Sequence, residues 1–74
     1  MIATTQLINL TINGNTRTFE ETHFTVAQLV SRMGLEGKRI AIERNGEIVS
    51  RTAFAGTDLV SGDRLEIVGA VGGG

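Results

Sequence analysis

The sequence contains no cysteine, no proline, no tryptophan and no tyrosine, and only one histidine. Without cysteine there is no disulfide staple, no thiolate metal site and no cysteine nucleophile. Few groups are left for acid–base or nucleophilic work, which counts against an enzyme. Neither sign of charge dominates: Lys and Arg number 7, Asp and Glu 8, and the formal net charge of −1 gives no general drive toward nucleic acid or an anionic membrane. No apolar run approaches the ~20 residues of a membrane span. Met1 to Thr5 lacks the basic segment and apolar stretch of a secretory signal. The expectation is a cytoplasmic protein that binds no metal and no cofactor of its own. A chain of 74 residues makes one domain. It buries only about 60% of its unfolded surface, too little to enclose a typical ligand pocket without losing its packing. Its 41% hydrophobic content nevertheless supports a packed fold rather than disorder.

What the sequence does have is glycine, and its last three residues are Gly72, Gly73 and Gly74. Asp63 to Val68 reads as a β-strand that feeds directly into this stretch. The reading is therefore a folded body over 1–68 and a flexible glycine-rich tail over 69–74. Glycine has no Cβ, so it adopts backbone conformations closed to other residues and lets a neighbouring surface approach closely. Such a tail suits a narrow catalytic cleft in a partner, with the carboxylate of Gly74 as the reacting group. A tail serving only as a spacer would more often mix in Ser, Lys or Glu. Extended at ~3.3–3.6 Å per residue, 69–74 reaches roughly 20 Å. Val71 is the large apolar side chain in it and is read as an anchor against the partner.

The body divides into short elements. Gln6 to Ile12 alternates, with Ile8, Leu10 and Ile12 on one face and Leu7, Asn9 and Thr11 on the other. Asn13-Gly14-Asn15 signals a tight turn, and Thr16 to Phe19 reads as the return strand, with Glu20 to His23 a polar connection. Thr25 is a good N-cap, Gln28 can complete a capping box, and Phe24 and Leu29 are spaced as a hydrophobic staple. Val26, Leu29, Val30 and Met33 recur at helical spacing until Gly34 stops the helix. Ile40 to Arg44 reads as a third strand, Asn45-Gly46 as a type I′ turn, and Glu47 to Ser50 as a short fourth strand carrying Ile48. Arg51 to Val60 is irregular, with room for one turn and with Phe54 and Leu59 inward. Ser61-Gly62-Asp63 turns the chain into the last strand, whose inner face is Leu65 and Ile67. A hairpin, one helix across a mixed sheet of about five strands, and a last strand beside the first make the α+β arrangement called the β-grasp. Leu7, Ala41 and Val68 alternate away from the core and define the expected docking surface. His23 reads as an exposed loop residue, and Lys38, Arg39, Arg44, Arg51 and Arg64 as solvated charge or a basic patch.

Three stretches in order carry a resemblance to a known family. They are Ile42-Glu43-Arg44-Asn45-Gly46-Glu47-Ile48-Val49, then Leu59 to Val68 with its Gly62-Asp63 turn, then Ala70-Val71-Gly72-Gly73-Gly74. With Thr25 to Val30 at the helix start, the chain resembles the ubiquitin-like sulfur carriers, in particular the thiamin-biosynthesis branch, ThiS. Ser50 and Phe54 stand where that family often has proline and tryptophan. The resemblance implies a protein co-substrate rather than a catalyst. Gly74 would be adenylated by an E1-like, ThiF-type adenylyltransferase that uses ATP. A sulfur donor such as a cysteine desulfurase persulfide would convert it to a thiocarboxylate, and a ThiG-type thiazole synthase would accept the sulfur. Gly72, Gly73 and Val71 would thread the partner's cleft, while Val68, Leu7 and Ala41 dock outside it. A molybdopterin-type carrier, a ubiquitin-like modifier using the same C-terminus, and a plain binding module remain the alternatives.

Overall fold

The computed structural model describes residues 4–69. The expectations for Ala70, Val71, Gly72, Gly73 and Gly74 lie outside the described residues. The chain runs through β1 (Gln6–Ile12), β2 (Asn15–Glu21), α1 (Val26–Arg32), β3 (Ile40–Arg44), β4 (Glu47–Val49), a 3₁₀ helix (Arg51–Gly56) and β5 (Arg64–Gly69). The strands form one mixed sheet in the order β2-β1-β5-β3-β4. The last strand lies parallel to the first at the centre of the sheet, and both outer pairs are antiparallel. This is the β-grasp.

Both hairpins turn on an Asn-Gly pair. Asn13 and Gly14 have φ of 50° and 85°, Asn45 and Gly46 of 51° and 90°, so all four occupy the left-handed region that a type I′ turn requires. The return strand β2 is longer than its β-branched core suggested. It continues through Glu20 and Glu21, which pair with Leu7 and Gln6. Edge strands tolerate charged side chains because their outer side faces water. The residues from Arg51 hold more order than expected: a six-residue 3₁₀ helix, with Phe54 half-buried and Leu59 buried after it.

α1 is only seven residues long, below the length at which an isolated helix is stable in water, so its ends and its packing hold it. The Thr25 hydroxyl accepts from the Gln28 amide at 3.2 Å, and the Gln28 side-chain oxygen accepts from the Thr25 amide at 2.8 Å. At the other end Gly34, at φ 71°, closes the helix. Its amide donates to Ser31, and the Leu35 amide donates to Val30 at 2.9 Å, a Schellman pattern. Val26, Leu29 and Val30 are buried against the inner face of the sheet, where Ile8, Leu10, Ile12, Ile42 and Leu65 form the opposite half of the core. Phe19 and Phe24 close one end of it with ring centroids 4.9 Å apart.

Gly69 is the last residue of β5, paired with Ile40. β5 therefore includes Gly69, which the sequence assigns to the tail. The strand continues because β3 still offers a partner there.

Candidate functional site: the outer sheet face and the root of the tail

Because side chains alternate along a strand, the pairing register fixes what each face presents. The face away from α1 carries Leu7, Asn9 and Thr11 from β1, Arg64, Glu66 and Val68 from β5, Ala41 and Glu43 from β3, and Ile48 from β4. Leu7 and Val68 are 62% and 63% exposed, and Ala41 is exposed too, so the three expected docking residues all point outward.

They are not all together. Val68 and Ala41 are direct cross-strand partners. Leu7 belongs to the other end of the sheet. β1 and β5 are parallel with Thr11 beside Arg64, which places Leu7 four residues below that level and Val68 four above it. At about 3.3 Å per residue the separation along the strand direction is roughly 25 Å. Sequence alternation assigns a face but says nothing about the stagger between two strands far apart in the chain.

The residue that completes the patch around Val68 is Ile48, 70% exposed. It lies directly across from Glu43, while Ala41, two residues along β3, is its diagonal neighbour. The sequence reading placed Ile48 in β4 without assigning its face. The two-residue Asn45-Gly46 turn was the available signal: it forces Arg44 opposite Glu47 and Glu43 opposite Ile48. Glu43 also faces Glu66 across β3 and β5. Two carboxylates directly opposed on one face repel each other. Among the described residues neither forms an ion pair. The site is thus an apolar strip of Ala41, Val68 and Ile48 beside an opposed pair of carboxylates, near the last described residue of β5, Gly69.

β5 is held from beneath by a buried polar hub. Asp63 is only 4% exposed. Its carboxylate accepts from Arg44 Nε and the Val60 amide, both at 2.9 Å, and from Asn45 Nδ2 at 3.0 Å. Burial raises the pKa of this carboxyl. The bonds from the Val60 amide, the Asn45 side chain and the Arg44 guanidinium, together with the charge of Arg44, outweigh that effect and hold it below its ordinary value. Asn45 Oδ1 in turn accepts from the Arg64 amide at 2.9 Å. In the sequence Asp63 and Asn45 read only as turn formers; the hub depends on contacts across 18 and 19 residues.

The remaining charged candidates separate. Arg44 is committed to Asp63, whereas Arg51 donates to the Lys38 carbonyl at 3.2 Å. His23 is exposed, as expected, with Nε2 2.6 Å from Asp58 Oδ1. The depression of about 300 Å³ between α1, the 3₁₀ helix and the turn at 35–38 is lined by Val30, Leu35, Ile40 and Phe54 and opens to solvent on the opposite side of the sheet. Among the described residues no three His, Asp or Glu side chains come together as a metal site, and no helix is long and apolar enough to cross a membrane.

A capped single helix on a five-stranded mixed sheet, with its central strand running out toward glycine, defines a ubiquitin-like protein. A family model described as the ThiS family matches residues 10–74. The sulfur carrier protein ThiS of Bacillus subtilis is 34% identical over 65 residues, covering 88% of this chain and 98% of that protein. A thiazole synthase of Paramagnetospirillum magneticum is 40% identical over 67 residues, covering 90% of this chain; the chain spans only 20% of that enzyme's length. The crystal structure of thiamine biosynthesis protein ThiS from Geobacter metallireducens superposes with a TM-score of 0.78 at 33% identity, covering 90% of this chain and all of that one. Its solution structure gives a TM-score of 0.74. The chain belongs to the ThiS family.

Proposed function

We propose that this chain is a sulfur carrier of thiamin biosynthesis, acting through the carboxylate of Gly74. A carboxylate is a poor electrophile at neutral pH. An ATP-dependent activating enzyme overcomes this by letting one carboxylate oxygen attack the α-phosphate of ATP, which forms an acyl-adenylate and releases pyrophosphate. Sulfur delivered from a persulfide then displaces AMP to form an acyl disulfide, and a second thiol that attacks the donor's own sulfur releases the thiocarboxylate and leaves that thiol and the donor joined as a disulfide. The chain is consumed and regenerated as a co-substrate and needs no catalytic side chain of its own.

The observation that carries this reading is the placement of Ala41, Val68 and Ile48 at the end of the sheet where β5 leads into the glycine tail. A partner that docks on this strip receives the tail beside it, with Val71 as a further anchor and Gly72 and Gly73 able to enter a narrow cleft. The kinship with a sulfur carrier of Bacillus subtilis supports the role. That a thiazole synthase includes a segment 40% identical to this chain supports a ThiG-type enzyme as the sulfur acceptor. A ThiF-type adenylyltransferase and a cysteine desulfurase persulfide are the proposed activator and donor, in the cytoplasm.

The test is the intact mass of the chain after incubation with ATP, the activating enzyme and a persulfide donor, and of the chain purified from its own cells. One oxygen replaced by sulfur is expected at the C-terminus. A mass that stays at the carboxylate value under both conditions refutes the proposal.

A further inference from the structure

β1 stops at Ile12, opposite Leu65, but β5 continues to Gly69. From there the β1 side of β5 has no strand backbone to pair with. Asn13 fills the gap. Its amide donates to the Leu65 carbonyl at 2.9 Å. Its side chain then takes the next position along: Oδ1 accepts from the Ile67 amide at 2.7 Å and Nδ2 donates to the Ile67 carbonyl at 3.0 Å. The carboxamide thus presents an acceptor and a donor as one more residue of β1 would. The N–H and C=O of one strand residue point to the same side, and alternate residues serve opposite neighbours. β3 therefore cannot take over the two groups that Asn13 satisfies. The bond spans 54 residues, from the tip of the first hairpin to the second residue before the strand ends.

We infer that Asn13 is a positioning residue: its side chain clamps β5 at Ile67 and so sets where the rigid body ends and how the C-terminal tail is presented to the activating enzyme. The inference rests on the carrier reading. Asn13 holds β5 at Ile67 from one side while β3 pairs with the strand from the other, which keeps Val68 in register with Ala41 and Gly69 with Ile40. With Asn13 gone, the last residues of β5 are held from β3 alone. The docking residue Val68 and the root of the tail then spend part of their time frayed, and docking must first reorder them. That cost falls on association rather than on the chemical step.

Asn13→Gly tests this, because glycine accepts the φ of 50° at this position and the turn is retained while the carboxamide is removed. In the free protein, amide exchange at Ile67 is expected to accelerate at least about tenfold relative to Ile42 and Leu65, as local opening replaces global opening. In ATP-dependent activation, KM for the chain is expected to rise about threefold or more while kcat stays within about twofold. Asn13→Asp, which keeps the acceptor and loses the donor, should fall between wild type and Asn13→Gly in both measurements. Thr25→Ala serves as the control: it lowers global stability by removing the helix cap on the other side of the molecule and should leave both the Ile67 exchange ratio and KM unchanged. An unchanged Ile67 exchange ratio in both Asn13 variants overturns the clamp. Faster exchange at Ile67 with KM no different from that of Thr25→Ala overturns the positioning role while the carrier reading stands. If the unaltered chain is not activated with ATP, the carrier reading fails and this inference with it.

Discussion

Replacing Asp63 by asparagine probes the hub on which the start of β5 depends. The two side chains have nearly the same shape, so the change acts through charge and hydrogen bonding alone. Asp63 Oδ2 accepts two bonds, from Arg44 and Val60, and Oδ1 accepts one from Asn45. An asparagine must turn its NH₂ toward one of these sides. Toward Arg44 and Val60 it meets two donors. Toward Asn45 it meets another donor, whose own oxygen is engaged with the Arg64 amide. The better orientation loses one bond outright and weakens the other two by removing the negative charge. At about 1 kcal/mol for the lost bond and about 0.5–1 kcal/mol for each weakened one, the loss is about 2–3 kcal/mol. A domain of this size has on the order of 4–11 kcal/mol of stability in all. With no tryptophan or tyrosine in the sequence, urea unfolding is best followed by far-ultraviolet circular dichroism. At an m-value of about 1 kcal/mol/M the midpoint should fall by about 2–3 M at pH 7. The effect has a definite pH dependence. The Asp63 pKa is lowered in the folded chain, so its contribution is complete above the unfolded carboxyl value of about 3.9 and is lost as pH falls through the lower folded value. The gap between wild type and Asp63→Asn should be constant from about pH 7 down to 5 and narrow below about pH 4. A gap under about 0.5 kcal/mol at pH 7, within the range of ordinary surface changes, would refute the argument. So would a gap that persists unchanged at the lowest pH where the protein stays folded.

Three further outcomes are expected. Val68→Asp adds a carboxylate to a face where Glu43 and Glu66 already oppose each other, and it should weaken the complex with the activating enzyme at least about tenfold, ~1.4 kcal/mol, by titration calorimetry; Leu7→Asp, at the far end of the sheet, should weaken it far less, and equal effects would place the docking surface elsewhere. Thr25→Ala removes the bond that the Thr25 hydroxyl accepts from the Gln28 amide and keeps the reciprocal one, which the backbone amide of residue 25 donates to the Gln28 side chain, so thermal unfolding should report a loss of about 1 kcal/mol, with Thr25→Ser close to wild type. Gly73→Ala should lower the rate of ATP-dependent activation at least about tenfold, whereas Gly69→Ala, where an added Cβ meets nothing within 4 Å, should be mild; equal rates for Gly73→Ala and wild type would mean that the tail does not pass through a narrow cleft.

The local elements were legible in the sequence because each is specified by neighbours. The capping box of Thr25 and Gln28, the helix stop at Gly34, the Asn45-Gly46 turn and the inward set of Ile8, Leu10, Ile12, Ile42 and Leu65 depend on spacings of a few residues. Periodicity even assigned Leu7, Ala41 and Val68 to the correct face. What it could not supply was the lateral stagger of strands distant in the chain. That stagger separates Leu7 from Val68 and brings Ile48 in its place. The other features decided only by tertiary structure are polar. Asp63 with Arg44 and Asn45, and Asn13 with Ile67, join groups 18 to 54 residues apart. In sequence these residues look like ordinary turn formers, because a side chain's local propensity carries no record of its distant hydrogen-bond partner. A turn asparagine becomes a clamp on the last strand only when the fold brings that strand alongside.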